Sequence, residues 1–420
     1  MKSSWSPTMR ISALFAFVLG IAIYFSPFVS RLAHPGVNQV VQLFIFAIVL
    51  WVVVRSLLRN AIPVSVLILA AYVAVFFLFS VFGRLNPTIS ESIISSLIFA
   101  KFFFVFLLAR HVSADKLKGS IYLLACVHLV AFAITLVDPT VFTDLLREVG
   151  YARDESRFIG FLLNPNRSAA LLSLIVIYLV LIERRFILPL LFFGLLVFTG
   201  SRSFILLTGV LVIYGLYAKK ELPVQSLVPV LVLGILLFVA SVPILDFADT
   251  WEKVKRTIDG EGLYIRAAML FGGMQLAVEF FPFGSGGGKF GSSLSAGSMA
   301  YEILGIAHWP TVANMTGVFD SGLGSVVGEY GWFGLSVYIG FLYLLLRYSS
   351  RTPFPVGKSL VILISVLYMG IFRTVASDVF YSLYFLSLYV VFRDFVAAKS
   401  SYESRYMRLV SSSNVGKSDK

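Results

Sequence analysis

The chain has little of what soluble and metal-binding proteins rely on: of 420 residues one is cysteine, four are histidine and only 13% are charged. Cys126 stands alone inside an apolar run, which excludes an intrachain disulfide, a thiolate metal cluster and a C-x-x-C redox motif. His34, His111, His128 and His308 are far apart and lack the H-x-x-x-H spacing, so no metal signature exists. Soluble domains carry about 25% charged residues. The scarcity of charge here, with 58% apolar residues and a mean hydropathy of +0.90, excludes a soluble fold. No internal repeat is visible, and no polar stretch is long enough to fold as a domain of its own.

What is abundant is apolar sequence in runs of about 18 residues or more, each able to cross a hydrocarbon core of about 30 Å as a helix. The expected spans are 11–30, 37–54, 61–83, 93–109, 119–137, 168–182, 186–199, 203–217, 222–245, 322–346, 358–374 and 378–392. The fold class is therefore all-α, a polytopic bundle of about twelve spans. The N-terminal stretch lacks an A-x-A cleavage site and reads as an uncleaved first span.

Net charge is +12, and its placement sets the topology. Arg55 and Arg59, Arg110 with Lys116 and Lys118, Arg184 and Arg185, Lys219 and Lys220, and Arg347 with Arg351 and Lys358 follow even-numbered crossings. Both ends of the chain are basic as well. The connections on the other side hold one basic residue each: Arg31, Arg84, Arg202 and Arg373. The positive-inside rule then puts both termini in the cytoplasm. The expected organisation is a bundle over 1–245, an extracytoplasmic loop over 246–321, a bundle over 322–396 and a basic cytoplasmic tail over 397–420. Counting 263–281 as a further span would invert all downstream charges, so that segment reads as an external helix lying on the membrane.

The two long outer connections, 138–167 and 246–321, gather basic residues. Arg147, Arg153, Arg157 and Arg167 occupy the first; Lys253, Lys255, Arg256, Arg266 and Lys289 occupy the second. A guanidinium fork matches phosphate oxygens, so such a gathering beside a membrane suits a lipid-linked diphosphate. The plain alternative is interfacial snorkelling or ion pairing with Asp154, Glu155, Asp249, Glu252 and Asp259.

Four motifs sharpen this. Thr199-Gly200-Ser201-Arg202-Ser203 is a short polar turn between apolar helices; a charge at such a position is a functional candidate, while Ser203 can simply cap the next helix. Gly160-Phe161-Leu162-Leu163-Asn164-Pro165-Asn166-Arg167-Ser168-Ala169 is a turn feeding a span, with Asn166 or Ser168 able to cap. The run Gly284-Ser285-Gly286-Gly287-Gly288-Lys289 fails as a P-loop, because Phe283 and Phe290 replace the first glycine and the Mg²⁺-binding hydroxyl. It reads either as flexible backbone near a ligand or as a plain loop. Finally, Phe319-Asp320-Ser321 opens a small-residue helix in which Glu329 falls inside the bundle. Asp320 is either a base for an attacking hydroxyl or an N-cap, and a buried Glu329 needs a partner.

Over about residues 155–340 the chain resembles the O-antigen polymerase and O-antigen ligase superfamily of bacterial envelope glycosyltransferases. The resemblance rests on G-x-x-x-N-P-N-x-x-A from Gly160 to Ala169, T-G-S-R-S from Thr199 to Ser203, Arg266 followed by P-F-G-S-G from Pro282 to Gly286, and the final small-residue helix. Ligases carry His, then Asn, Ser or Gln, then nine residues, then G-x-x-G. Ser321, Gly331 and Gly334 keep that spacing, but Asp320 replaces the histidine, which favours the polymerase branch. Asp320 also resembles the external catalytic aspartate of the peptidoglycan polymerases of shape, elongation, division and sporulation.

The resemblance implies inverting transfer at the outer face of the bacterial inner membrane, from a glycan on undecaprenyl diphosphate to a hydroxyl of another lipid-linked repeat unit. No metal, nucleotide or other cofactor and no nucleic acid is implied; a chain-length regulator and a flippase are implied partners beside membrane lipids. Asp320 would orient or deprotonate the hydroxyl, while Arg157, Arg202 and Arg266 would stabilise the departing diphosphate. A well-placed donor of this kind contributes on the order of 3 kcal/mol. Arg84, Arg153, Arg167, Asn164, Asn166, Lys289 and Glu329 are the remaining substrate-binding candidates. Two rivals stay open: a ligase acting on lipid A core, and a lipid-linked sugar transporter or flippase, which should show broken helices and midspan ionisable residues such as Lys101.

Overall fold

The computed structural model describes residues 63–148, 158–162, 164–218, 264–315, 317–349, 354–373, 375 and 377–395, with isolated positions elsewhere; side chains at 145–148, 218 and 320 lie outside that description. The expected spans 11–30 and 222–245, most of 37–54, and Arg153, Arg157 and the basic tail fall outside the described residues.

Every described element is helical, without a strand. Four helices are long and apolar enough to cross a membrane: Val64–Val81, Ile89–Arg110 with its 3-10 end, Ala114–Val137 and Gly322–Tyr348. Shorter apolar helices run over Pro165–Leu181, Ile187–Phe198, Arg202–Ala218 and Val356–Phe372, and a last one covers 379–395. Local chemistry sets their ends. Thr88 and Glu91 form a reciprocal capping box at the start of the 89–106 helix. The 165–181 helix opens on Asn164, whose side chain accepts from the Asn166 and Arg167 amides, with Pro165 in the first helical position. The cap is thus Asn164 and not the expected Asn166 or Ser168; Ser168 instead donates to the Ile159 carbonyl at 2.6 Å. The short helix Val141–Glu148 was not expected from hydropathy, since it is amphipathic and only eight residues long.

The chain divides into two compact units, one holding 111–243 and 387–420, the other 34–110 and 244–386. In the first, the 165–181 helix is the centre: every residue from Ser168 to Leu181 is buried. Thr208 of the 202–218 helix donates to Ser173 at 2.6 Å, a polar tie between two apolar helices. Lys118 pairs with Glu183 at 2.8 Å, and Asp394 accepts from the Ala114 amide while Arg393 donates to Val112 O.

In the second unit the 264–321 region is a folded layer, not an isolated surface helix. The helix Ile265–Glu279 packs along the first third of the 322–348 helix. A Cβ on Gly273 would lie 2.3 Å from the Gly324 carbonyl oxygen, and one on Gly324 would lie 2.5 Å from that of Met269. Met269, Leu276, Phe290, Tyr301 and Val318 form the small core between these pieces. The 322–348 helix breaks at Gly331, whose φ of 68° and ψ of −173° are not helical. The break is a sharp bend. Gly322 and Tyr338 line one small cavity with Val366 and Gly370, although a straight helix would hold them about 24 Å apart.

The glycine run 284–288 is neither exposed nor loose. It is buried and threaded between helices by main-chain hydrogen bonds: Arg84 N–H to Gly284 O, Leu85 N–H to Ser285 O, Ser285 N–H to Gly328 O and Gly286 N–H to Glu329 O, each 2.9–3.1 Å. A Cβ on Gly83 would sit 2.0 Å from the Gly286 Cα, so backbone touches backbone there.

Candidate functional site

Each unit carries one polar corner built from the residues singled out by sequence. In the first unit the two N-terminal turns of the 165–181 and 202–218 helices meet: Ser201 Oγ donates to Asn166 Oδ1 at 3.2 Å, and the Phe158 amide donates to Phe198 O at 2.9 Å. The N-P-N and T-G-S-R-S motifs, more than thirty residues apart, are therefore one local structure. Ser201 holds the N-cap position, its carbonyl accepting from Phe204 and Ile205, so Ser203 is a first-turn residue and not the cap. Arg167 and Arg202 both lie partly buried on these adjoining turns. Asn164 is committed to its cap through Oδ1.

In the second unit the Asp320 corner is assembled from three segments. Val318–Asp320 is a 3-10 turn that leads into the 322–348 helix. Ser321, not Asp320, caps that helix: its side chain accepts from the Gly324 amide at 3.2 Å. The capping explanation of Asp320 is thereby removed. The Gly322 amide donates to the Arg373 carbonyl at 3.0 Å, which brings the end of the 356–372 helix to the same corner. The Arg373 side chain is only 6% exposed, and Nη1 donates to Phe372 O at 2.8 Å. Three residues before Asp320, Gly317 faces Ile265, with a Cβ there 3.2 Å from Ile265 Cγ2. Arg266, next along the chain and partly buried, starts the 265–279 helix at this corner.

Arg373 is the residue that sequence reading passed over. It counted only as a single outer charge, yet an arginine closing an apolar run deserves the same suspicion as Arg202, because burying a guanidinium is costly without a purpose. Lys289 is engaged: its Nζ lies 2.9 and 3.0 Å from the two carboxylate oxygens of Glu91. Arg84 has an exposed side chain beside the glycine loop.

Glu329 lies deeper. It is fully buried, Ser95 Oγ donates to Oε2 at 2.6 Å, and the Ser95 and Tyr330 hydroxyls bond each other at 2.6 Å. The expected arginine partner is not what it has. Besides Ser95, the Ser292 hydroxyl and the loop amides of Gly288 and Phe290 donate to its carboxylate. Among the described residues no group of three or more His, Cys, Asp or Glu side chains could hold a metal ion.

The segments that carry Asp320, Arg266 and Arg373 meet at this corner through Gly317 with Ile265 and through Gly322 with the Arg373 carbonyl. No protein family, curated protein or solved structure matches the chain. Among the described residues the fold is all-helical, with four helices long and apolar enough to cross a membrane.

Proposed function

We propose that the chain polymerises oligosaccharide repeat units carried on undecaprenyl diphosphate, by inverting glycosyl transfer at the outer face of the bacterial cytoplasmic membrane. The Asp320 corner carries this reading: Ser321 and not Asp320 caps the following helix, Asp320 stands two residues before the amide that bonds the Arg373 carbonyl, and Gly317 lies against Ile265, which opens the helix that carries Arg266. The acceptor hydroxyl oxygen attacks the anomeric carbon as its bond to the diphosphate oxygen breaks. Asp320 takes the hydroxyl proton. Arg266 and Arg373 hold the charge that grows on the diphosphate, each worth on the order of 3 kcal/mol if well placed. Arg84, and Lys289 on release from Glu91, add positive charge; Arg167, Arg202 and Asn166 form the basic corner of the other unit.

The proposed topology has about twelve spans with cytoplasmic termini. Its support is that contacts between helix ends pair like with like. Lys118 with Glu183, Val112 with Arg393, and Arg110 with Tyr348 O join ends expected inside. Gly322 with Arg373, Glu91 with Lys289, and Asn166 with Ser201 join ends expected outside.

The test is a gel of surface polysaccharide from a deletion strain complemented with variants. Asp320→Ala, Arg266→Ala and Arg202→Ala are each expected to leave single capped repeat units while the protein inserts at normal level. Normal polymer length in all three would sink the site assignment, and accumulation of lipid-linked polymer in the deletion strain would mean a ligase. One observation favours the transporter reading: the helix break at Gly331 beside a buried acid. A flippase predicts instead that lipid-linked repeat units in the deletion strain stay inaccessible to an added external glycosidase.

A further inference from the structure

The helices of the first unit differ sharply in length. The helix Ile187–Phe198 has 12 residues and so rises about 18 Å, well short of a hydrocarbon core of about 30 Å. Its flanks do not lengthen it. Before it, the Glu183 and Arg185 amides fold back onto Tyr178 O and Leu179 O; after it, the Thr199 and Gly200 amides fold back onto Leu196 O and Val197 O. Both flanks are polar, with Arg184 and Arg185 exposed at one and the T-G-S-R-S turn at the other. Yet the helix is not wrapped in protein. Ile187, Leu190, Leu191 and Phe198 are 88, 50, 47 and 51% exposed, and their spacing sets them in one stripe along its whole length.

The neighbouring helix Ala114–Val137 measures the shortfall. With 24 residues it is about 36 Å long. Near its start Lys118 pairs with Glu183 at 2.8 Å, and further along Phe132 meets Phe158 and Phe198 at ring-centroid distances of 6.0 and 6.4 Å. The two helices thus run side by side, and the short one ends where the long one still has about 7 Å to rise to Val137. That last stretch stands clear, with Leu136 69% and Val137 88% exposed. The corner where Asn166 meets Ser201, with Arg167 and Arg202 on its turns, shares the level of Phe198, because the Phe158 amide donates to Phe198 O. On the proposed topology a bilayer of ordinary thickness would sink those polar and charged groups into hydrocarbon, where they are costly. An apolar helix too short for its bilayer is accommodated by thinning the bilayer locally.

We propose that the 187–198 face is a lipid-binding surface that thins the bilayer beside the first unit, its partner an annulus of phospholipid shorter than the surrounding membrane, which leaves the Asn166–Ser201 corner at headgroup level. This rests on the proposed topology and not on glycosyl transfer. The test uses the full-length chain with Cys126→Ala, which removes the one native thiol, and with Ile187→Cys, Leu191→Cys or Phe198→Cys, each carrying bimane in phosphatidylcholine vesicles. Lipids brominated near the headgroup or near the chain end report depth. Both end labels are expected to be quenched most by the shallow bromines, and the Leu191→Cys label by the deep ones. In competition, the Phe198→Cys label should favour dimyristoleoyl over dioleoyl chains by about threefold or more. A bilayer of full thickness instead puts Phe198 about 18 Å from the basic flank, near the midplane, so a Phe198→Cys label quenched as deeply as Leu191→Cys overturns the proposal. Labels that no lipid quenches also overturn it, in favour of a second copy of the chain covering the stripe. Sidedness is read separately. A membrane-impermeant thiol reagent should reach Arg185→Cys and Asp138→Cys from opposite faces; reaction from one face alone would defeat the topology itself, whatever the depth profile.

Discussion

Replacing Gly331 by alanine separates two costs that the bend in the 322–348 helix imposes. The first is conformational: φ of 68° with ψ of −173° lies in a region essentially confined to glycine, and forcing another residue there costs about 1–3 kcal/mol. The second is steric. The new Cβ would stand 2.2 Å from the Pro282 carbonyl oxygen and 2.8 Å from the Gly284 nitrogen, both backbone atoms that cannot swing aside. Overpacking of this kind costs a further 1–3 kcal/mol or so, giving roughly 4 kcal/mol in all. Gly297 supplies the control: its φ is also 68°, but nothing lies within 4 Å of its Cβ position. Gly297→Ala should cost only about 1–2 kcal/mol. Gly340, in the same long helix with open space around it, should gain up to about 1 kcal/mol as alanine. Unfolding in mild detergent gives the three values. Hydrogen exchange localises the damage, because the Ser285 and Gly286 amides bond to the Gly328 and Glu329 carbonyls just before the break. Those two amides should exchange faster in Gly331→Ala and unchanged in Gly297→Ala. Equal destabilisation by the two substitutions, with both amides still protected, would refute the close approach of loop and helix.

Asn164→Ala should destabilise the first unit by about 1 kcal/mol, through loss of the two amide contacts to its side chain, whereas Asn164→Asp should be nearly neutral; unfolding curves of both variants check this. Glu183 is held below the ordinary carboxylate range by its hydrogen bond from Lys118. A lowered folded-state value means that its contribution is present above about pH 4.3 and fades as pH falls through the folded value. Glu183→Gln should therefore lower stability slightly at neutral pH, match wild type below the folded value and so flatten the acid side of the profile, and an unaltered acid limb would count against the pairing.

Hydropathy made the helical class and the membrane-length helices legible, because a run such as Val64–Val81 has few alternatives once its length is counted. The contacts of Arg110, Lys118 and Arg393 join helix ends that share one expected side. The meeting of the N-P-N and T-G-S-R-S turns was not legible, since nothing in their spacing brings Ser201 to Asn166. The caps were misread by one to four residues. Asn, Ser and Asp are interchangeable as caps in sequence, and only backbone geometry chooses Asn164 and Ser321 among their neighbours. The bend at Gly331 and the buried course of 284–288 were invisible for a different reason. Both exist because two backbones about fifty residues apart exclude side chains from the same space, and a glycine run looks identical whether it is loose or wedged. Arg373 was hidden likewise, since its burial depends on the 322 corner, not on its own neighbours in sequence.

The contact of Gly83 with Gly286 sets a timetable for synthesis. The first glycine leaves the ribosome about 200 residues ahead of the second, which at roughly 5–20 residues per second is a wait of about 10–40 s. Through that interval the 64–81 and 89–106 helices stand without the loop that packs against them. Helix insertion here can be prompt, while completion of the second unit must wait for nearly the whole chain.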